Sequence, residues 1–146
     1  MKSEPDAFSI DDLKSRPGKK SHWDGVRNYQ ARNYLRTMKK GDLVFFYHSS
    51  CDEPGIVGIA KVAKEAYPDH TAFDPDDPHF DPKSKADAPT WFMVDVKFVR
   101  KLKHTIGLAE LKDVPALADF ALVRKGNRLS VLPVTESQWT AILALE

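Results

Sequence analysis

WDGVRNYQARNYLRTMKKGDLVFFYHSS, residues 23 to 50, changes its hydrophobic period partway along. Ala31, Tyr34, Leu35 and Met38 recur at the three-and-four spacing of one helix face, so a helix is expected from Val26 to Met38, with Gly41 after it as a C-terminal stop. DLVFFYH, residues 42 to 48, follows at once, and its density of aromatic and branched side chains reads as a buried strand. A helix that runs directly into a buried strand needs a sheet to join and a layer to pack on.

Downstream, GIVGIAKVAKEAY, residues 55 to 67, starts as a glycine-punctuated apolar run and then alternates. WFMVDVKFVRKL, residues 91 to 102, alternates Phe92, Val94, Val96 and Phe98 against Met93, Asp95, Lys97 and Val99. Both read as long strands. Between them PDHTAFDPDDPHFDPKSKADAP, residues 68 to 89, is rich in Pro and Asp without a period. A loop this long in a small domain points to function, and Phe73 and Phe80 give it something to bury, so it is expected to pack over a pocket. IGLAELKDV and PALADFAL look like short helices, RLSVLPV like a last strand, and TESQWTAILALE like a final helix opened by a Thr135–Gln138 capping box. Upstream, Ser9 and Asp12 in FSIDDL mark a helix from about Ile10, ended by Pro17 and Gly18 and followed by a basic loop to Trp23. The pattern predicts one α+β domain over residues 1–146, a curved sheet or small barrel closed by flanking helices.

Composition narrows the function classes. The 42% hydrophobic and 29% charged content is ordinary for a globular protein, and no apolar run approaches the ~20 residues of a membrane span. The start, MKSEPDAFSIDD, has no apolar stretch of leader type, so a soluble cytoplasmic protein away from membranes is expected. Cys51 is the only cysteine, which excludes an internal disulfide and a cysteine-rich zinc site. A net charge of +1 provides no global basic field, yet residues 14 to 40 hold nine Lys and Arg against the single acid Asp24. Any nucleic-acid contact must therefore be a local basic face.

Several motifs dissolve on inspection. GKKS at residues 18 to 21 lacks the upstream glycine and strand of a P-loop, and GIVG at residues 55 to 58 has apolar central residues where a phosphate-facing KH loop needs none. No nucleophile elbow and no paired-histidine zinc motif is present, so no catalytic residue is assigned. Asp69, His70, Asp74, Asp76, Asp77, His79 and Asp81 offer cation ligands, but the spacing fits no EF-hand and Pro75, Pro78 and Pro82 mark turns. Neither a metal nor a cofactor is expected.

Taken together, MKSEPDAFSIDDL, the stretch quoted first, GIVGIAKV, YPDHTAFDP, FDPKS, WFMVDVKFV and RLSVLPV resemble the EVE domain in order over nearly the whole chain. The resemblance implies a PUA-like fold, a small curved β-barrel decorated by flanking helices and similar to the YTH and ASCH modules. It also implies a non-enzymatic module that binds DNA or RNA and holds a modified base in a pocket. A base out of its stack needs a flat apolar partner for its face and fixed donors and acceptors for its edge. By similarity with the YTH pocket, Trp23 is one wall, Ser3 and Glu4 line the same hollow, and Asn28 reads an edge. His48 and Ser49 form the floor, and Phe80 closes it. Arg128 resembles a phosphate-contacting position, which Lys19, Lys20 and Lys83 extend, although a solvated arginine reads equally well there. A core role for Trp23 also stays open. Trp91 and Trp139 have core neighbours by periodicity and Trp23 has none, so Trp23 is expected to contribute little to folding. A monomer is expected. The competing class is a metal-dependent enzyme acting on nucleic acid or nucleotide, with the Asp/His loop holding the ion.

Overall fold

The two alternating runs on either side of the Pro/Asp-rich segment become the longest strands. A computed structural model describes residues 1–146. Its strands are β1 (Lys2–Ser3), β2 (Lys20–His22), β3 (Leu43–His48), β4 (Gly55–Pro68) and β5 (Phe92–Gly107). Its α-helices are α1 (Ile10–Ser15), α2 (Tyr29–Thr37), α3 (Leu108–Lys112) and α4 (Glu136–Leu143). The strands form one five-stranded sheet in the order β1-β3-β4-β5-β2. β1 pairs with β3 in parallel, and the other neighbours are antiparallel. The ladder does not close: the short strands β1 and β2 are its two edges. Register shifts recur along the β4–β5 pair, the irregularities that bend a sheet and strengthen its twist.

β3 divides its side chains between two cores because successive residues of a strand face opposite ways. Val44 and Phe46 join Ile10 and Leu13 of α1, Ala31 and Leu35 of α2, and Val94 and Val96 of β5. Phe45 and Tyr47 join Ile56, Leu102 and Ile106 with Leu111 of α3 and Ile142 of α4. Glycine at 58 is what lets α1 come down on the sheet: a Cβ there would lie 2.8 Å from Ile10 Cδ1 and 2.9 Å from the Arg100 carbonyl.

Local signals held well at the helix starts. Ser9 and Asp12 form a full capping box on α1, and Thr135 and Gln138 do the same on α4. α2 begins three residues later than the periodicity indicated, because the Asn28 side chain accepts from the Ala31 N–H and fixes the start at Tyr29. β5 extends to Gly107, since Leu102 and Ile106 continue into the second core. PALADFAL folds as two single 3-10 turns, Pro115–Leu117 and Ala121–Val123. RLSVLPV forms no strand; its Ser130 carbonyl accepts one bond, from the Lys2 N–H at 2.8 Å. β1 and β2 are too short to leave a periodic trace. No helix is long and apolar enough to cross a membrane.

Candidate nucleic-acid interface

A pocket of about 300 Å³ opens where β1, the turn before α1, the end of β2 and the Pro/Asp-rich loop meet. Phe8 and Trp23 are its aromatic walls, with ring centroids 6.2 Å apart and planes at 83°. Trp23 is fixed from behind: its N–H donates to the Val94 carbonyl at 2.8 Å and Phe46 meets it edge-on at 5.4 Å. The Arg16 guanidinium lies 5.2 Å from the centroid of Phe8 and also borders the pocket. Ser3 Oγ donates to the Phe8 carbonyl at 2.6 Å, tying β1 to that wall.

The mouth is polar. Asp24 Oδ1 lies 3.6 Å from His22 Nε2, and its Oδ2 lies 3.9 Å from His79 Nδ1. Asp77 approaches the same His79 nitrogen at 3.3 Å. One ligand atom each from Asp24, Asp77 and His79 falls within 4.8 Å of the others, a spacing that suits a divalent cation.

What brings His79 to the pocket is a buried clamp. Asp69 is fully buried and accepts from the Gly25 N–H at 2.8 Å, the Thr71 N–H at 2.9 Å, Thr71 Oγ1 at 2.6 Å and Arg27 Nη1 at 3.0 Å. Burial pushes the Asp69 carboxyl up, but the bonds from Thr71, Gly25 and Arg27 outweigh it and hold it below the usual carboxylate range. The other prongs of the Arg27 fork donate to the His79 carbonyl at 3.0 and 2.8 Å. Gly25 has φ +83°, and a Cβ on it would lie 2.6 Å from His79 Cε1, so the imidazole rests against bare backbone. Farther along, Trp91 Nε1 donates to Asp81 Oδ2 at 2.7 Å. The loop is therefore pinned at both ends and in the middle, and it reaches the pocket through His79, not through the aromatic residues Phe73 and Phe80 expected to cover it.

Of the residues singled out from sequence, Ser3 and Trp23 line this pocket. Trp23 is also a core residue, only 8% exposed and packed with Val26, Phe46 and Val94. The expectation that it lacks core neighbours is thus corrected: pairing of β2 with β5 lays the following residue across the sheet. Glu4 stays exposed, and its carbonyl takes the N–H groups of Ala7 and Phe8. The Asn28 side-chain oxygen is occupied by its cap on α2. His48 Nε2 accepts from the Ile10 N–H at 3.1 Å under α1, and burial lowers its pKa. Ser49 joins the frame through its N–H to the Ser3 carbonyl at 3.0 Å and does not line the pocket. Phe80 points elsewhere and is 39% exposed; the neighbouring His79 takes the position expected for it.

The cations fall into two groups. Lys19 ends the 3-10 turn Pro17–Lys19 and Lys20 opens β2, whose Ser21 and His22 line the pocket while the two lysines do not. Lys14 and Lys19 place their ammonium groups 5.9 and 5.8 Å from the Phe98 centroid, and Lys20 pairs across the ladder with Lys97. Arg128 and Lys83 are exposed and lie outside the pocket lining. Sequence reasoning missed Phe8 and His22 and gave no pocket role to Arg16, Asp24 or His79. Arg16 and Asp24 stood out only as members of the basic stretch, and His79 only as one of the cation ligands offered by the Asp/His loop.

A second cavity, about 420 Å³, lies between α2, β3 and the segment entering α4. Aliphatic and aromatic side chains such as Phe45, Leu122 and Trp139 dominate it, with no converging set of cations.

An open five-stranded sheet with helices on both faces and an aromatic-walled pocket at its edge define a small binding module. The chain belongs to the EVE domain family, whose model matches residues 1–145. Among its relatives is human thymocyte nuclear protein 1, 50% identical over 163 aligned residues that take in 100% of this chain and 72% of the relative. The mouse protein of the same name is 51% identical with the same coverage. Human THYN1 protein, solved in complex with 5-methylcytosine-containing DNA, superposes with a TM-score of 0.96 at 50% identity, covering 99% of this chain and 94% of that one. A Pseudomonas syringae protein of known structure is 59% identical, with a TM-score of 0.95 and coverage of 99% and 96%. The relatives' name corrects the cytoplasmic placement expected from sequence. That expectation rested on a missing apolar leader, which does not separate nuclear from cytoplasmic proteins.

Proposed function

We propose that this chain is a reader of 5-methylcytosine in DNA and holds the methylated base, turned out of its stack, in the pocket walled by Phe8 and Trp23. The observation that carries the reading is the pocket itself: two aromatic walls, a polar mouth and the cations Lys2 and Arg16 in its lining, in a chain half identical to a protein solved with such DNA. Stacking a base on an aromatic ring contributes about 1 to 3 kcal/mol. The methyl group adds about 0.8 kcal/mol if fully buried, so preference over cytosine is expected to be several-fold rather than thousandfold. Arg16, Lys19 and Lys20 serve the flanking phosphates, and a monomer is the binding unit. The bent sheet, with β1 and β2 at its edges, plays the part of the PUA-like barrel.

Fluorescence anisotropy with duplexes differing only in one central methyl group tests this. Tighter binding of the methylated duplex, lost in Phe8→Ala and weakened for both duplexes in Arg16→Gln, is the expected result. Equal affinity for the two duplexes would sink the reading. The Asp24–Asp77–His79 cluster supports a second reading, a metal-assisted hydrolase at the same mouth. Cleavage of the bound oligonucleotide that stops on adding EDTA would favour it.

A further inference from the structure

A reader of 5-methylcytosine faces a problem that the methyl group cannot solve. Thymine carries the same methyl on C5 and differs at position 4, where cytosine presents an amine donor and thymine a carbonyl acceptor. Burying the methyl against an aromatic wall therefore favours both bases alike. Discrimination has to come from a group that only accepts hydrogen bonds and faces position 4.

The polar side chains around the pocket leave one such group. Lys2 and Arg16 only donate. The hydroxyls of Ser3 and Ser21 donate to the carbonyls of Phe8 and His22, at 2.6 and 3.0 Å, but a hydroxyl can rotate its proton towards a thymine carbonyl and so does not reject it. His22 and His79 each carry both a donor and an acceptor in the neutral form. Asp24 is the sole carboxylate lining the pocket, and its side chain is 31% exposed. Its oxygens stand 3.6 and 3.9 Å from the flanking imidazoles, outside hydrogen-bond reach, so its lone pairs are uncommitted. It follows Trp23 directly in the chain, which fixes it beside the stacking wall, and the preceding and following anchors of the clamp hold that backbone through the Gly25 N–H.

We infer that Asp24 is the residue that separates 5-methylcytosine from thymine, accepting from the exocyclic amine and rejecting the thymine carbonyl, an inference that rests on the pocket reading above. With thymine in place, two acceptors meet in a partly desolvated site and neither finds a proton. A site built to accept from a substrate amine discriminates far more strongly than one that merely buries an extra methyl. Asp24→Asn changes this in a defined way, because an amide rotates to present either its oxygen to the amine or its NH₂ to the carbonyl.

The test uses oligonucleotides with a central 5-methylcytosine, cytosine or thymine, each opposite an abasic site so that the cost of leaving the stack no longer depends on a pairing partner. The wild-type protein is expected to bind 5-methylcytosine about tenfold or more tightly than thymine. In Asp24→Asn that ratio should fall to within about threefold, while the preference for 5-methylcytosine over cytosine persists, since the methyl contact is untouched. Thermal melting checks that the variant is folded, and the wild-type ratio tests the inference even without it. A wild-type protein that prefers 5-methylcytosine over cytosine but binds thymine equally well, or an Asp24→Asn variant that keeps the full ratio, overturns the role of Asp24 alone. No preference over cytosine in the wild type overturns the pocket reading and this inference with it.

Discussion

Trp23 has two duties that pull its mutational signature in different directions. Its ring edge packs on Phe46 and Phe8 in the core while its remaining surface borders the pocket. Removing a large buried ring costs about 3 to 5 kcal/mol, so Trp23→Ala is expected to destabilise the fold at least as much as Trp139→Ala, by urea denaturation. Trp139 is stacked on Phe45 at 3.7 Å but only half-buried, which limits its share. Binding effects of Trp23→Ala must therefore be read at a temperature well below its own melting point. Gly25 presents a cleaner case. At φ +83° a side chain is strained by about 1 to 3 kcal/mol, and the His79 ring occupies the space a Cβ needs. Gly25→Ala should lower the melting temperature and weaken DNA binding together, and adding His79→Gly should recover the part of the loss due to the clash but not the part due to backbone strain. Failure of the second change to recover anything would mean that the ring does not rest there.

At the level of elements, two side chains join segments that are far apart in the chain. His48, at the end of β3, accepts from the first N–H of α1, which only the unprotonated nitrogen can do. Burial lowers its pKa from the ordinary 6.5, so the folded protein binds this proton less readily than the unfolded chain. Its stabilising contribution is complete above about pH 6.5 and is lost as the pH falls through the lowered folded value. Melting temperatures measured between pH 7.5 and pH 5 should decline, and His48→Gln, which keeps an acceptor without a titrating ring, should flatten that part of the curve. Asp69 follows the same sign at more acid pH: its lowered carboxyl stabilises the fold above about pH 4 and ceases to as it becomes protonated. Asp69→Asn leaves the Arg27 cation without its partner, a loss of about 3 kcal/mol for a buried pair. Limited proteolysis should then cut the variant within residues 74 to 89 sooner than the wild type. Equal cutting rates would show that the clamp does not hold the loop.

For the whole molecule, a net charge of +1 coexists with local basic groups near β2: Lys14 and Lys19 over Phe98, and Lys20 paired with Lys97. The binding constant should fall with salt, with a slope that counts a few phosphates; each accounts for about −0.9 on a log–log plot for duplex DNA. Lys19→Gln with Lys20→Gln should reduce that slope by up to about 2 and leave methyl preference intact, because phosphates carry no base identity. A slope that does not change would place the phosphate contacts elsewhere, for instance at Arg128. The helix caps at Ser9 and Thr135, the buried strand after Gly41 and the long alternating strands were legible because each is set by neighbours within a few residues or by a period of two. Trp23 and the lysines before it were singled out through the family resemblance, whereas periodicity alone misplaced Trp23 outside the core. The pocket was not legible, because its walls and mouth come from residues 8, 16, 22 to 24 and 79, and no spacing in the chain relates them. Asn28 and His48 show the other side of this: their residue types suit base reading, yet α2 takes the Asn28 side-chain oxygen and α1 takes His48 Nε2. Sequence alone thus determined the α+β class, the family and the basic stretch, since those depend on local order and composition. The pairing of β2 with β5 and the Asp69 clamp, both contacts between distant segments, decided which side chains face one another across the pocket.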